Sequence, residues 1–161
     1  MREGRVETDD GAVLGYRAHG DPSAPAVIFA NGIGVDHPGA TLQREALSDY
    51  QFITFDYRGV GESTVPHPEI DVSMGRHAQD LRAVLDALCV PRATVIGWSM
   101  GVQVGLEVCR QEPQRLAGFV ALLGAHGRPF RGAFPRPLAA LMEGAFAVAA
   151  EHPAPAQALL D

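Results

Sequence analysis

Apolar residues fall into two patterns along the chain, and each pattern predicts a different kind of strand. Alternation over residues 12–18 places Leu14, Tyr16 and Ala18 on one face, which predicts a hairpin with residues 5–8 across a turn at residues 9–11. Short, nearly continuous apolar runs follow, and such runs are typical of parallel strands covered on both faces. These runs occupy residues 26–30, 52–55, 93–96 and 119–123.

Helical periodicity occupies the intervals between these runs. The clearest helix begins near Ser73 and ends before Pro91, with an apolar stripe at a period of 3.6 residues. The stripe consists of Met74, Ala78, Leu81, Leu85 and Leu88. Further helices are predicted over residues 41–50, 100–112 and 138–150. Strands that alternate with helices predict an α/β fold, here an opening hairpin and a mostly parallel sheet of about six strands.

Composition and charge narrow the classes of function. The chain has 161 residues, of which 47% are apolar, and its 19 acidic and 13 basic residues give a formal charge of −6. This balance disfavours nucleic acid and anionic membranes as partners. Every basic residue is Arg, so enzymes that need a Lys amine, such as P-loop and Schiff-base enzymes, are excluded. We expect no cofactor.

Cysteines and the chain start bear on compartment and metal content. Cys89 and Cys109 have no CxxC or Cys/His spacing around them, so we expect neither a disulfide framework nor a metal site, and we interpret both thiols as buried. The first ten residues are too charged for a signal peptide, and the longest apolar run, residues 116–125, is too short to span a membrane. These features predict a cytoplasmic protein.

The motif with the clearest chemistry is Gly-Trp-Ser-Met-Gly at residues 97–101. It follows a predicted strand and opens a predicted helix, which is the setting in which G-x-S-x-G forms a nucleophile elbow. A chance match occurs only about 0.06 times in a chain of this composition. We therefore predict that Ser99 is a nucleophile, and that Gly97 and Gly101 leave room for a sharp turn that a Cβ would block.

Two backbone N–H groups are the candidate donors to an oxyanion. Met100 N–H lies at the start of the predicted helix, where unpaired N–H groups favour negative charge. The second candidate is Ile33 N–H, in the glycine-rich loop at residues 31–34 (Asn-Gly-Ile-Gly) after the strand at residues 26–30. The alternative interpretation of this loop is a simple tight turn.

Three motifs together resemble the α/β-hydrolase superfamily. They are the loop at residues 31–34, the D-x-R-G-x-G-x-S match at residues 56–63 (DYRGVGES) and the elbow at residues 97–101. The resemblance covers roughly residues 5–127 and implies an eight-stranded sheet with a helical lid inserted after the sixth strand. It therefore divides the chain into part of a core, residues 1–127, and the start of a lid, residues 128–161.

The chain departs from the family pattern in two places. Its oxyanion loop begins Asn31-Gly32 rather than His-Gly, as in members similar to enol-lactone hydrolases. The family's acid and histidine follow its seventh and eighth strands, which lie beyond residue 161. The resemblance thus implies an incomplete, truncated fold without its acid and base, and we expect this chain to have little activity, because a serine hydroxyl without a base is a poor nucleophile.

Several polar residues near these motifs remain candidates. The resemblance gives Asp56 and Arg58 a structural role in their loop. His126 follows the sixth strand and is either a base for Ser99 or a surface residue. We also expect the residues that line the pocket to include some of a set at the strand ends: Asn31, Gly32, Asp36, His37, Trp98 and His126.

The remaining side chains have plainer interpretations. The ring of Trp98 either fills the layer beneath the elbow or touches substrate. The other histidines, which we interpret as solvated, are His19, His67, His77 and His152.

The leading functional hypothesis is a serine hydrolase that cleaves a small ester, thioester or lactone through an acyl-enzyme. One alternative is a non-catalytic truncated homologue, a dimerising or binding remnant of the fold. Another is perhydrolysis, acyl transfer or carbon–carbon cleavage on the same elbow. The expected partner is a small acyl substrate, and self-association through an uncovered apolar sheet edge near residues 116–123 is also expected.

Overall fold

The structure of the chain is a computed structural model that describes residues 1–35, 40–127 and 135–151. The chain divides into two compact units, Met1–Gly124 and Ala125–Asp161. The assignment of the second segment as a lid stays a prediction.

The first unit is built on a six-stranded sheet in the order β1-β2-β4-β3-β5-β6. The strands are β1 (Arg2–Glu7), β2 (Val13–His19), β3 (Ala26–Ala30), β4 (Gln51–Phe55), β5 (Ala93–Trp98) and β6 (Leu116–Leu122). β1 and β2 form the predicted hairpin, and β2 also pairs antiparallel with β4. The other three pairings are parallel, which confirms the predicted mixed sheet.

Helices cover both faces of this sheet. They are α1 (Thr41–Ala46), α2 (Met74–Ala87) and α3 (Met100–Gln111). Alternate residues of β3 face opposite sides of the sheet. Ile28 belongs to the larger core under α2 and α3, whereas Val27 and Phe29 pack with Ala40 beside α1. A strand buried on both sides needs apolar residues at successive positions, which explains its continuous apolar run.

α2 confirms the predicted stripe. Ser73 caps the helix by accepting a hydrogen bond from Arg76 N–H at 3.2 Å. Ala78, Leu81 and Leu85 are buried in the core. The helix ends at Ala87, and Cys89 takes a left-handed conformation with φ of 56°.

Two predictions about individual side chains are wrong. Cys89 is exposed because it lies in the turn that follows α2. Cys109 is only half-buried and lies in the last turn of α3. His77 is not solvated but 5% exposed, since it faces the core from the first turn of α2.

Element ends differ from the predictions where backbone pairing, not side-chain pattern, decides them. β6 begins at Leu116 rather than at residue 119 because its ladder with β5 runs from Ala93↔Leu116 to Trp98↔Leu122. β1 likewise extends back to Arg2 because its ladder continues to Ala18.

α1 ends at Ala46 instead of residue 50. Its last turn closes through Leu47, whose N–H donates to Gln43 O, and a further turn follows in which Tyr50 N–H donates to Leu47 O.

The second unit contains α4 (Arg136–Glu151), two residues longer at its N-terminus than predicted. Pro137 lies in the first turn, where its missing N–H and fixed φ are compatible with a helix. No helix in the described ranges has the length and apolar character required to cross a lipid bilayer.

Candidate active site

The two chemistry-bearing loops emerge side by side at one edge of the sheet. β3 and β5 are parallel neighbours, and the last residue of β3, Ala30, pairs with Gly97. The carboxyl ends of adjacent parallel strands meet at the same edge, where open α/β sheets bind their ligands. The loop that starts at Asn31 therefore runs beside the turn that holds Ser99.

Ser99 has the strained backbone expected of an elbow. Its φ of 54° and ψ of −113° lie in a region of backbone conformation that residues other than glycine rarely adopt. Ser99 is the N-cap residue of α3. Its N–H donates to Leu122 O at 2.9 Å, which fixes the turn to the neighbouring strand. Ser99 is half-buried and lies between the end of β5 and the start of α3, which confirms the predicted strand–turn–helix setting.

The elbow glycines have no room for a side chain. A Cβ on Gly97 would lie 2.4 Å from Gly101 O, and a Cβ on Gly101 would lie 1.9 Å from Ala30 O. A Cβ on Gly105 would lie 2.2 Å from the ring of Phe119. The first two distances confirm that the turn needs glycine, and the third shows that Gly105 lets α3 lie close to the sheet.

The loop after β3 forms a turn whose tip is Ile33. Val35 N–H donates to Gly32 O at 3.4 Å, and Gly34 has φ of 69°, as in a type II turn. In such a turn the N–H of Ile33 is not the donor that closes the ring. The Ile33 side chain is 65% exposed, so the apolar residue stands at the surface beside the elbow.

Contact between loop and elbow is direct. A Cβ on Gly32 would lie 3.5 Å from the Cβ of Ser99 and 3.4 Å from the ring of Trp98. Trp98 also packs against the cluster that contains Phe29 and Phe52, so its ring supports the loop from the sheet side. This position favours the packing interpretation of Trp98.

Met100 is the first residue of α3, a helix of 12 residues. The N–H groups of a first helical turn have no intrahelical partner, and they carry the positive end of the helix dipole. Ser99, Met100 and the turn at Gly32–Val35 thus bring a hydroxyl and a helix N-terminus to one loop cluster. This arrangement can stabilise negative charge that develops beside Ser99.

Asp56 and Arg58 order their own loop, as predicted. The Asp56 carboxylate accepts from Glu62 N–H at 2.9 Å, and Ser63 Oγ donates to Asp56 O at 2.8 Å. Arg58 donates two bonds to the buried carboxylate of Asp80, at 2.8 and 2.6 Å. Its third bond goes to Asp10, at 2.8 Å.

Burial and hydrogen bonds act in opposite directions on the pKa values of Asp10 and Arg58. Burial alone would raise the pKa of Asp10, but hydrogen bonds from Arg58 and Thr8 overcome that effect and hold the pKa well below its usual range. Burial acts against the charge of Arg58, yet its bonds to Asp80 and Asp10 raise its pKa. Asp10 and Arg58 are therefore both ionised near neutral pH.

Asp80 was missed by the sequence analysis, although a signal existed. An acidic residue lies between Ala78 and Leu81 on the buried side of α2, where an unpaired charge would be costly. Such a position indicates a buried partner, and Arg58 is the residue that meets it.

The remaining candidates receive no support from geometry. His126 is exposed and belongs to the second unit, so its proposed role as a base stays a prediction. Asp36, His37 and His152 lie outside the described residues. Over the described ranges, no group of three His, Cys, Asp or Glu side chains is arranged to hold a metal ion.

Comparison with known proteins shows where this architecture recurs. A family model described as "alpha/beta hydrolase fold" matches residues 25–154. A RutD protein of Klebsiella pneumoniae, named as a carbamate hydrolase, is 33% identical over 104 residues, which are 64% of this chain and 39% of that protein. The 3-oxoadipate enol-lactonase 1 of Acinetobacter baylyi is 37% identical over 97 residues, 60% of this chain and 35% of the lactonase.

Solved structures give the same picture. Est816, described as an N-acyl homoserine lactone degrading enzyme, superposes with a TM-score of 0.71 at 28% identity, covering 82% of this chain and 49% of Est816. A hydrolase from Pseudomonas aeruginosa superposes with a TM-score of 0.72 at 32% identity, covering 76% of this chain and 46% of the hydrolase. The chain spans less than half the length of each of these proteins.

Proposed function

The chain belongs to the α/β-hydrolase fold family, and on that premise we propose that it carries the nucleophile and the oxyanion hole of a serine hydrolase. Ser99 attacks a carbonyl carbon, and the N–H groups of Ile33 and Met100 hold the oxygen that becomes negative. The observation that carries this proposal is the backbone of Ser99, strained at φ of 54° between a strand and a helix.

The substrate is proposed to be a small ester, thioester or lactone. The names of three relatives contain a carbamate, an enol-lactone and an acyl homoserine lactone. These compounds have in common a carbonyl carbon attached to a leaving group. A site that attacks such a carbon needs a nucleophile and donors to the tetrahedral oxyanion. In this proposal the nucleophile follows β5, and the donors follow β3 and β5.

The base and the acid are proposed to come from outside the described residues. Across the residues that the structure describes, no histidine is hydrogen-bonded to the Ser99 hydroxyl. Without a base the hydroxyl is scarcely ionised at neutral pH, so acylation is slow. The same base would activate water for deacylation, so an acyl group that does reach Ser99 should remain there.

Acylation by p-nitrophenyl acetate tests the proposal. The 161-residue chain should release at most about one equivalent of p-nitrophenol slowly and gain one acetyl group, because attack depends on Ser99 and no histidine among the described residues is bonded to Ser99 to act as the base for deacylation. Intact-mass and peptide mass spectrometry locate the acetyl group.

The matched control is Ser23→Ala, which removes an exposed hydroxyl before β3, at the opposite edge of the sheet. Ser99→Ala should abolish the adduct, whereas Ser23→Ala should leave it. Equal acetylation of the parent chain and Ser99→Ala would overturn the proposal.

We also infer that the protein works in a reducing compartment, the cytoplasm. Both cysteines are unpaired, and Cys89 is exposed, which is typical of proteins kept away from oxidising conditions. Cell fractionation with an antibody against the native protein would test this, and recovery outside the cytoplasmic fraction would contradict it.

A further inference from the structure

Tyr57 is buried where the loop after β4 meets the loop after β3. It is 2% exposed, and its hydroxyl donates to the backbone carbonyl of Asn31 at 3.1 Å. Its ring packs edge-on against Phe55, with centroids 5.2 Å apart, and against His77, with centroids 4.8 Å apart. The ring is thus held on two sides while its polar end contacts one peptide group.

The hydroxyl is a permanent donor. Burial raises the pKa of Tyr57 well above its usual range, so the phenol keeps its proton near neutral pH. Asn31 is 1% exposed, and its carbonyl must be satisfied from within the protein. The bond from Tyr57 supplies this buried acceptor with a donor.

The Asn31 carbonyl also lies close to the elbow. A Cβ on Gly101 would lie 3.0 Å from Asn31 O, so the start of α3 lies directly against this oxygen. The peptide group that joins Asn31 to Gly32 therefore lies beside both Tyr57 and Gly101. Loss of the hydroxyl would remove one of the contacts that fix the orientation of this peptide, and Gly32 adds backbone freedom beside it.

Rotation of this peptide would alter the direction of the next one. The following peptide carries the Gly32 carbonyl, which accepts from Val35 N–H at 3.4 Å, and the N–H of Ile33 on its opposite side. A displacement of about 1 Å in a group that stabilises a transition state can cost about 100-fold in rate. A residue that fixes Asn31 thus controls where the Ile33 N–H points.

The segment that carries Tyr57 is itself fixed. Arg58, the next residue, is 4% exposed and is bound to Asp80 from α2 and to Asp10 from the turn of the hairpin. The phenol therefore reaches Asn31 from a rigid support.

We propose that Tyr57 is a positioning residue for the oxyanion loop, acting through its hydrogen bond to the Asn31 carbonyl. The inference rests on the proposed function, since the group positioned is the Ile33 N–H that would hold the oxyanion. Tyr57 touches neither substrate nor Ser99 in this role. A residue that only fills the core would need its ring and not its hydroxyl, so the hydroxyl is what the test must remove.

The test compares Tyr57→Phe with Tyr16→Phe, which deletes the same hydroxyl from a half-buried tyrosine of β2. One readout is the rate of Ser99 acetylation by p-nitrophenyl acetate with added imidazole as a soluble base. Tyr57→Phe should lower the rate at saturating ester about tenfold and leave the half-saturating concentration unchanged, because only the transition state carries the negative oxygen. Tyr16→Phe should change neither.

The second readout is independent of Ser99 chemistry. In ¹H–¹⁵N spectra of folded protein, Tyr57→Phe should shift the amide signals of Gly32 and Ile33 and speed their hydrogen exchange at least about fivefold relative to α2. Tyr16→Phe should leave the signals of this loop in place.

The outcomes separate the two proposals. Unchanged loop amides, or an unchanged saturating rate in Tyr57→Phe, would overturn the positioning role of Tyr57. If Ser99 of the parent chain is never acetylated, the proposed function fails, and the amide signals alone then decide whether Tyr57 orders the loop.

Discussion

At the residue scale, the site depends on small groups in places that admit nothing larger. A Cβ on Gly101 would meet both Ala30 O and Asn31 O, so one position joins the elbow to the loop after β3. The left-handed backbone of Ser99 is fixed by its neighbours. Its N–H is bonded to Leu122 O on β6, and it is the N-cap residue of α3.

Gly101→Ala should therefore destabilise the fold by about 3 kcal/mol or more, since the new methyl meets backbone that cannot move aside. Gly144→Ala is the matched control: it lies in α4 with nothing within 4 Å of the new methyl, and it should be neutral or stabilise by about 0.5–1 kcal/mol. Urea unfolding measures both. A Gly101→Ala chain as stable as the parent would show that the elbow has room.

Asp10 predicts how stability depends on pH. Its pKa in the folded protein lies below the ordinary value of 3.8. Between the folded pKa and 3.8 the unfolded chain binds more protons than the folded chain, so the free energy of unfolding rises with pH in that range. The contribution is complete above about pH 5 and is lost as the pH falls below 3.8.

Asp10→Asn should therefore cost roughly 1–2 kcal/mol at pH 6 and progressively less towards pH 2.5. Urea unfolding of the parent chain, of Asp10→Asn and of Asp49→Asn, an exposed control, measures the difference. A cost that does not change with pH would show that the ionised carboxylate is not the source.

At the element scale, β6 is only partly buried and has an edge that no described strand pairs with. Among the strands that the structure describes, it pairs with β5 alone, and it carries no charged residue. Val120 is 42% exposed and Leu122 is 37% exposed. Uncharged edge strands of this kind pair readily with other chains.

The 161-residue chain should therefore self-associate as its concentration rises, and Val120→Lys should shift it towards monomer, because a lysine on an edge opposes pairing. Val72→Lys, at an exposed apolar residue before α2, is the control and should leave association unchanged. Size-exclusion chromatography with light scattering measures the mass. A parent chain that stays monomeric at millimolar concentration would contradict the prediction.

The same scale shows which parts of the fold could be predicted. The strands and α2 follow from side-chain period, because burial on one or two faces dictates where apolar residues recur. The ends of β6 and α1 do not follow from it, since a backbone ladder or a local turn decides them. The burial of His77 and the exposure of Cys89 do not follow from the pattern either, because tertiary packing decides which side of a helix end is covered.

At the scale of the whole molecule, the parallel sheet brings motifs that are distant in sequence together at one of its edges. The motifs at residues 31–34 and 97–101 are far apart in sequence, and the parallel pairing Ala30↔Gly97 brings them into contact. Their glycines and the strand–turn–helix setting could be recognised from the sequence. The bond from Tyr57 to Asn31 could not, because it depends on how two loops meet.

Labelling of Ser99 by a fluorophosphonate tests the central claim most directly, because this reagent reports an activated serine beside an oxyanion hole. We predict one adduct on the native 161-residue chain, located at Ser99 by peptide mass spectrometry and formed faster as imidazole is added to act as the base. Ser99→Ala and urea-unfolded chain should give none. Labelling that misses Ser99 at every imidazole concentration, or that is equal in native and unfolded chain, would contradict the account.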